Sequence, residues 1–222
     1  MIQRVFEQAA SSSAKRVVVA TDDNRIIEAV RGFGGEAVMT DGAHVSGTDR
    51  IFEAAKILGL GSNEVVVNVQ GDEPLIPPSV INRVAGLVAG DVRMATLCEA
   101  ITRRDDVFNP NIVKVVRDEH DIAMYFSRAP IPRDRNGFSV EEDTVPVGWY
   151  RHLGIYAYTV SLLESFVSWP PVDLEMTESL EQLRVLANGE KIRVEEIRES
   201  MPPGIDTPED VARTLEALEG KL

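Results

Sequence analysis

The stretch EVVVNVQGDEPLIP, residues 64–77, decides how this chain is organised. Its first seven residues, Glu64 to Gln70, are rich in β-branched valine, which is typical of a strand buried on both faces of a sheet. Gly71 ends the run, and Asp72 follows it. Because ligands of open α/β sheets gather at the carboxyl ends of strands, Gln70 and Asp72 lie where a binding site is expected. An aspartate in a turn is also a common structural residue, so both interpretations remain open.

Helices and strands alternate on both sides of this stretch. The apolar spacing, capping residues and glycines predict helices near residues 2–9, 23–34, 48–58 and 78–88, and strands at 16–21, 36–39 and 94–100. Such alternation implies right-handed crossovers. We therefore predict an α/β fold with a mostly parallel, doubly wound sheet.

The pattern changes after the strand that ends at Ala100. Three longer apolar runs predict an antiparallel extension of the sheet: residues 111–116 (NIVKVV), 122–127 (IAMYFS) and 152–158 (HLGIYAY). The acidic stretch 133–148 is predicted to be a long loop. Further along, the sequence predicts helices at 160–167 and 173–188, a strand at 192–196 and a last helix from Thr207.

Composition narrows the class of protein. The 222 residues include 23 Lys and Arg against 36 Asp and Glu, a formal charge of -13, which argues against nucleic acid or an anionic membrane as a partner. Cys98 is the one cysteine, so no intramolecular disulfide can form, and its apolar neighbours indicate a core residue. No apolar run approaches the ~20 residues that cross a bilayer, and the amino terminus does not resemble a signal peptide. We expect a cytoplasmic protein.

Eight ordered segments together resemble the 3-deoxy-manno-octulosonate cytidylyltransferases, also called CMP-KDO synthetases. The segments are VATDD (19–23), HVSGTDR (44–50), NVQGDEPLIP (68–77), FNPNIVKVV (108–116), YFSRAPIPRDR (125–135), RHLGIYAY (151–158), LEQLRVL (180–186) and GIDTPED (204–210). The resemblance implies one domain of the nucleotide-diphospho-sugar transferase-like fold over residues 1–222. It also implies transfer of CMP from CTP to 3-deoxy-D-manno-octulosonate for lipopolysaccharide biosynthesis. An insert at about 108–158 would contribute to a homodimer.

The resemblance implies that Asp72 and Asp206 bind the catalytic Mg²⁺. Carboxylates suit this ion, which takes one or two of them alongside substrate phosphates. The segment GIDTPED also fits the start of a helix, with Thr207 as the capping residue. Capping accounts for Thr207 and leaves Asp206, one residue earlier, available for the metal.

The segment HVSGTDR would recognise the nucleotide through Ser46, Gly47, Thr48 and Arg50, as the resemblance implies. A turn at the start of a helix presents backbone N–H groups, and an arginine adds a fixed positive fork. A plain helix cap is the alternative interpretation of the same residues.

The resemblance also implies a site for the acidic sugar. Its residues would be Gln70, Arg128, His152, Tyr156, Glu181 and Gln182. An acidic ketose needs a cation for its carboxylate and polar groups for its hydroxyls. Each residue has a structural alternative: the two on the strand, four apart, would share a face and could be core groups, and the two on the helix could be solvated.

The chain begins after the point where the resembled family has its first strand and a basic, glycine-containing loop for the triphosphate. We expect an incomplete amino terminus. A naturally shortened, non-catalytic relative that binds a sugar acid or nucleotide is an alternative, and so is a cytidylyltransferase for another acidic sugar, such as a sialic acid.

Overall fold

The computed structural model describes residues 1–44, 46–135, 145, 148–198, 201–202, 204–205 and 207–218. The described strands are β1 Val18–Thr21, β2 Glu36–Met39, β3 Val65–Asn68, β4 Met94–Ala100, β5 Lys114–Arg117, β6 Ala123–Ser127, β7 Tyr150–Thr159 and β8 Ile192–Glu196. The described helices are α1 Ile2–Ala10, α2 Asn24–Gly32, α3 Gly47–Ile57, α4 Pro78–Gly86, α5 Arg104–Phe108, α6 Val160–Ser168, α7 Asp173–Glu178, α8 Gln182–Ala187 and α9 Pro208–Leu218.

Strand β7 organises the larger sheet, whose order is β6-β5-β7-β4-β8. On one side it pairs antiparallel with β4 along nearly its whole length. On the other side its second half pairs with β3 and its first residues pair with β5, both antiparallel. The α/β class and the antiparallel β5-β6-β7 extension are confirmed. The sheet is mixed rather than mostly parallel, because β7 runs against β3 and β4 between them. The described parallel pairings are β1 with β2 and β4 with β8.

Helices cover both faces of the larger sheet, as β4 illustrates. Met94 and Cys98 belong to the apolar cluster formed with α6 and α8, whereas Ala95 and Leu97 belong to the cluster formed with α4 and the end of α1. The alternation follows from the two-residue period of a strand. Burial raises the pKa of the Cys98 thiol to about 12, so this residue is a core group without nucleophilic character.

The predicted single helix at residues 173–188 is two helices. Ser179 adopts a left-handed conformation with φ 53° and ends α7, and the following turn leads into α8. The break lets Arg184 form a buried ion pair with Glu175. In one continuous helix these residues, nine apart, would be separated by ~13.5 Å along the axis. The ion pair therefore requires the break, which the local helical pattern does not predict.

The predicted loop at 133–148 lies mostly outside the described residues, so its structure and any role in dimer formation stay predictions. Within the described part of the chain, the helices are all too short or too polar to cross a bilayer.

Candidate active site

A cavity of about 330 Å³ lies beside the last residues of β3. Six residues predicted from the sequence line it: Gly47, Thr48, Gln70, Tyr156, Glu181 and Gln182. They come from the start of α3, the end of β3, the middle of β7 and the start of α8. Segments far apart in sequence therefore meet at one site.

The pairing of β3 with β7 places the strand residues of the cavity. Asn68 is opposite Tyr156 in the antiparallel register, and both line the cavity. Gln70 lies two residues beyond Asn68, so in extended chain the two side chains are on the same side. Tyr158, two residues after Tyr156, adds a second tyrosine, with the two ring centroids 5.8 Å apart.

A hydrogen bond joins the two helix starts across the cavity. The Thr48 hydroxyl donates to Oε2 of Glu181 over 2.9 Å. Ser46 is the N-cap of α3, and its hydroxyl oxygen accepts a bond from the Asp49 N–H. The capping interpretation of HVSGTDR is therefore correct for Ser46, while Gly47 and Thr48 line the cavity.

Glu181, which is half-buried, and Gln182, which is buried, make the cavity polar. Burial raises the pKa of the Glu181 carboxyl, and the hydrogen bond from Thr48 opposes the rise. Gln182 is 5% exposed, and its Nε2 atom has no hydrogen-bond partner among the described residues. A buried amide donor without a partner costs ~1–3 kcal/mol, which points to a ligand atom as its partner.

His152 lies behind the cavity wall and does not line it. Its Nε2 atom is 3.0 Å from the Thr96 hydroxyl, and its ring packs against Phe126 and Tyr156, at 5.1 and 5.2 Å between centroids. The predicted shared face of His152 and Tyr156 is confirmed. Burial lowers the pKa of His152 to about 3, so its imidazole is neutral and supplies no positive charge at physiological pH.

Arg128 lies at the margin of the cavity. Its Nε donates to the Glu178 carbonyl over 2.7 Å, and its terminal nitrogens donate to the carbonyls of Pro110 and Ser179 over 3.1 and 3.4 Å. Ser179 itself lines the cavity. None of the described cavity-lining residues is a lysine or arginine. Arg128 is therefore the predicted cation nearest to the cavity wall by its contacts.

Asp72 follows the same strand, outside the cavity lining. Its backbone carbonyl accepts a hydrogen bond of 2.9 Å from the Ile205 N–H, and a Cβ placed on Gly204 would lie 3.6 Å from the same oxygen. The segment GIDTPED thus meets the carboxyl end of β3. Asp206 lies outside the described residues, so the predicted pair of aspartates stays a prediction.

Arg50 lies on the other side of α3 from Glu181. Its guanidinium bonds to the Thr40 hydroxyl over 2.6 Å and to the Asp22 carboxylate over 3.1 Å. These residues follow β2 and β1, so Arg50 ties the ends of the small sheet to α3.

Sequence reasoning missed three polar residues of the cavity: Asn68, Tyr158 and Ser179. The first two could have been found, since each lies two positions from a predicted residue on the same strand. Ser179 could not, because it reaches the cavity only through the break between α7 and α8.

Comparison with known proteins places these residues in a family. The family model described as Cytidylyltransferase matches residues 1–192. The chain is 56% identical over 98% of its length to a 3-deoxy-manno-octulosonate cytidylyltransferase from Pseudomonas fluorescens, covering 87% of that protein. It is 50% identical over its whole length to the protein of the same name from Vibrio vulnificus, covering 88%.

Solved structures agree with the sequence relatives. The fold matches a structure of CMP:2-keto-3-deoxy-manno-octonic acid synthetase complexed with CTP, with a TM-score of 0.88, 38% identity and coverage of 100% of this chain and 88% of the other. A cytidylyltransferase from Leptospira borgpetersenii shares the fold alone, with a TM-score of 0.59 at 17% identity, over 100% of this chain and 76% of the other. This chain belongs to the cytidylyltransferase family, among the 3-deoxy-manno-octulosonate cytidylyltransferases.

Proposed function

We propose that this protein transfers CMP from CTP to 3-deoxy-D-manno-octulosonate, which releases pyrophosphate and forms CMP-KDO for lipopolysaccharide biosynthesis. The observation that carries the proposal is the buried, unpartnered Nε2 atom of Gln182, a residue of the cavity lining. A polyhydroxylated sugar acid offers acceptor oxygens that would satisfy this donor. The relatives named for this sugar, at 50 to 56% identity, identify which sugar acid to test.

The cavity supplies the groups that would orient the sugar. Gln70, Tyr156, Glu181 and Gln182 present donors and acceptors to its hydroxyls, and Arg128 at the margin would receive its carboxylate. His152 would act indirectly, by supporting the Tyr156 ring against which it packs. The sugar would then lie fixed with its anomeric hydroxyl directed toward the Asp72 end of β3.

The nucleotide would bind at the start of α3. The N–H groups of Gly47 and Thr48 belong to the first turn of this eleven-residue helix, where the helix dipole favours negative charge. Ser46 shapes that turn as its cap, and Arg50 holds the turn to the ends of β1 and β2.

The reaction joins these two halves. The anomeric hydroxyl oxygen forms a bond to the α-phosphorus of CTP, the bond from that phosphorus to the bridging oxygen breaks, and pyrophosphate leaves. The hydroxyl proton passes to solvent. Because phosphoryl transfer is catalysed mainly by positioning and electrostatics, no covalent intermediate with the protein is needed.

We propose a magnesium site at the Asp72 end of β3. The donors proposed are the carboxylates of Asp72 and Asp206, and the segment that contains Asp206 is tied to Asp72 through Ile205. No cluster of three or more metal-ligating side chains occurs among the described residues, which is compatible with Mg²⁺ because it needs only one or two carboxylates. When bound, the ion would offset the charge that develops on the phosphate oxygens.

We also propose a cytoplasmic homodimer. Strand β6 lies at the edge of the described sheet, and Met124 on it is 65% exposed, so the insert at 108–158 offers a surface to a second copy. A monomeric mass in sedimentation equilibrium would contradict the dimer. The cytoplasm is where CTP is available.

A turnover assay tests the proposed function. The protein is incubated with CTP, MgCl₂ and 3-deoxy-D-manno-octulosonate, and pyrophosphate release is followed while CMP-KDO is identified by mass spectrometry. N-acetylneuraminate in place of the octulosonate tests the rival sugar. Calorimetric binding of the octulosonate without turnover would instead support a non-catalytic relative and overturn the proposal.

Replacing Gln182 by Leu separates binding from stability. We expect KM for the sugar acid to rise at least ~10-fold, since a lost hydrogen bond in a buried site is worth ~1–3 kcal/mol. The melting temperature should stay equal or rise, because the change removes an unsatisfied buried donor from the free protein. A drop in stability together with an unchanged KM would show that Gln182 is a structural residue.

A further inference from the structure

We propose that Glu178 is a positioning residue, which sets the distance between Arg128 and the Gln182 amide. This inference rests on the proposed function, in which those two residues hold opposite parts of the sugar acid. Arg128 follows β6, whereas Gln182 begins α8, and these elements are separated by more than fifty residues of chain. Glu178 is placed to fix their relative position, because it bonds to the end of β6 and lies four residues before Gln182 in the chain.

The Glu178 side chain is bonded to the end of β6. Its Oε1 atom accepts a hydrogen bond from the Ser127 hydroxyl over 2.6 Å, and its Oε2 atom accepts one from the Arg128 N–H over 2.9 Å. Ser127 is 2% exposed, so one of these bonds lies in the protein interior. Both carboxylate oxygens are thus used to attach the last residue of α7 to the strand.

The Arg128 side chain in turn bonds to the backbone at the end of α7. Its Nε donates to the backbone carbonyl of Glu178 over 2.7 Å and a terminal nitrogen donates to that of Ser179. Ser179 is the left-handed residue at which the chain turns toward Glu181 and Gln182. The Glu178 side chain thus bonds to the Arg128 backbone, and the Arg128 side chain bonds to the backbone of Glu178 and Ser179. Arg128 therefore holds the turn that leads to Gln182.

The backbone of Arg128 is also held by Lys114, independently of Glu178. Lys114 is fully buried, and its Nζ atom donates to the carbonyls of Arg128, Asn109 and Ile112 over 2.7, 2.9 and 2.5 Å. The backbone of Arg128 thus stays in place without Glu178. Loss of the carboxylate would release the turn between α7 and α8 relative to the guanidinium.

The variant Glu178→Gln tests this arrangement. A glutamine cannot accept both bonds. Its NH₂ either meets the Arg128 N–H, donor against donor, or faces the Ser127 oxygen, which must then stop donating while it still accepts from the Ala129 N–H. We expect KM for 3-deoxy-D-manno-octulosonate to rise at least ~10-fold, while KM for CTP changes little and the melting temperature falls by only a few degrees. The matched control is Met176→Ala, on the same helix and 60% exposed in the wild type, which should leave both KM values unchanged.

A second background shows whether Glu178 acts through Arg128. In protein that already carries Arg128→Ala, the change Glu178→Gln should have little further effect on KM for the sugar acid. A full additional effect in that background, or equal rises of both KM values with a lower melting temperature, overturns the positioning role. Wild-type protein that turns over no sugar acid overturns the proposed function and this inference with it. Active wild type with an unchanged sugar KM in Glu178→Gln overturns the inference alone.

Discussion

We expect Asp72→Asn to lower kcat by about 1,000-fold and to leave the fold intact. The reason is electrostatic: the proposed cation offsets several kcal/mol of charge in the transition state, and ~4 kcal/mol corresponds to about three powers of ten in rate. Asparagine preserves shape, and the hydrogen bond from Ile205 goes to the backbone carbonyl, which the substitution does not touch. Pyrophosphate release measures turnover, and thermal unfolding measures the fold.

A control for charge alone is Asp91→Asn. Asp91 lies in the turn before β4, and β4 and β3 run in the same direction because both are antiparallel to β7. Asp91 therefore lies at the amino-terminal ends of these strands, whereas Asp72 lies at their carboxyl-terminal ends. Its ion pair with Lys191 is exposed, so its loss should change neither activity nor stability noticeably.

Turnover within tenfold of wild type in Asp72→Asn would contradict the metal-binding role of Asp72.

The sequence was most informative where local pattern and tertiary structure agree. Strands β2 and β4 have the predicted bounds, because short apolar runs between turn residues leave little choice of conformation. The sequence offers Asp22 or Asp23 as the cap of α2, and the structure has Asp23, whose side chain accepts a bond from the Arg25 N–H. These elements depend on neighbours in the chain, so a single sequence suffices to place them.

Strand order was less predictable than strand position. Alternation of helices and strands predicted a mostly parallel sheet, and β3, α4 and β4 do form a parallel crossover. The place between the two strands is taken by β7, which begins fifty residues after the end of β4 and is antiparallel to both strands. Nothing local in Tyr150–Thr159 specifies that insertion, and it is the insertion that brings Tyr156 opposite Asn68 in the cavity.

The candidate site also has features that the sequence predicts and features that only the fold determines. The resemblance named its residues, and six of them line one cavity, but the residue types alone could not give the unpartnered amide of Gln182 or the neutral state of His152. Both properties come from burial, which depends on packing across the whole fold. The two helix residues also depend on the break at Ser179, which the sequence pattern does not predict.

Glu175→Ala should have the largest effect on stability. Glu175 and Arg184 are 8% and 9% exposed, and Nε of Arg184 donates to Oε2 of Glu175 over 2.7 Å. Removing one partner of a buried pair leaves an uncompensated charge, at a cost of ~3–5 kcal/mol. In a protein of this size that lowers the melting temperature by roughly 6–20 °C. Thermal and urea unfolding measure the change.

The double variant Glu175→Leu with Arg184→Met distinguishes the pair from its surroundings. Replacing both charges by apolar groups is often neutral, so we expect most of the lost stability to return. The Arg184 guanidinium also lies 4.2 Å above the Phe166 ring, and methionine can keep part of that packing.

The control is Glu7→Ala, at the exposed pair with Arg4, which should change the free energy of unfolding by less than ~1 kcal/mol. A double variant as unstable as Glu175→Ala would mean that ionic contact, rather than avoidance of an unpaired buried charge, holds α7 to α8. In that case the position of Gln182 would depend on the pair directly, and KM for the sugar acid would rise in both variants.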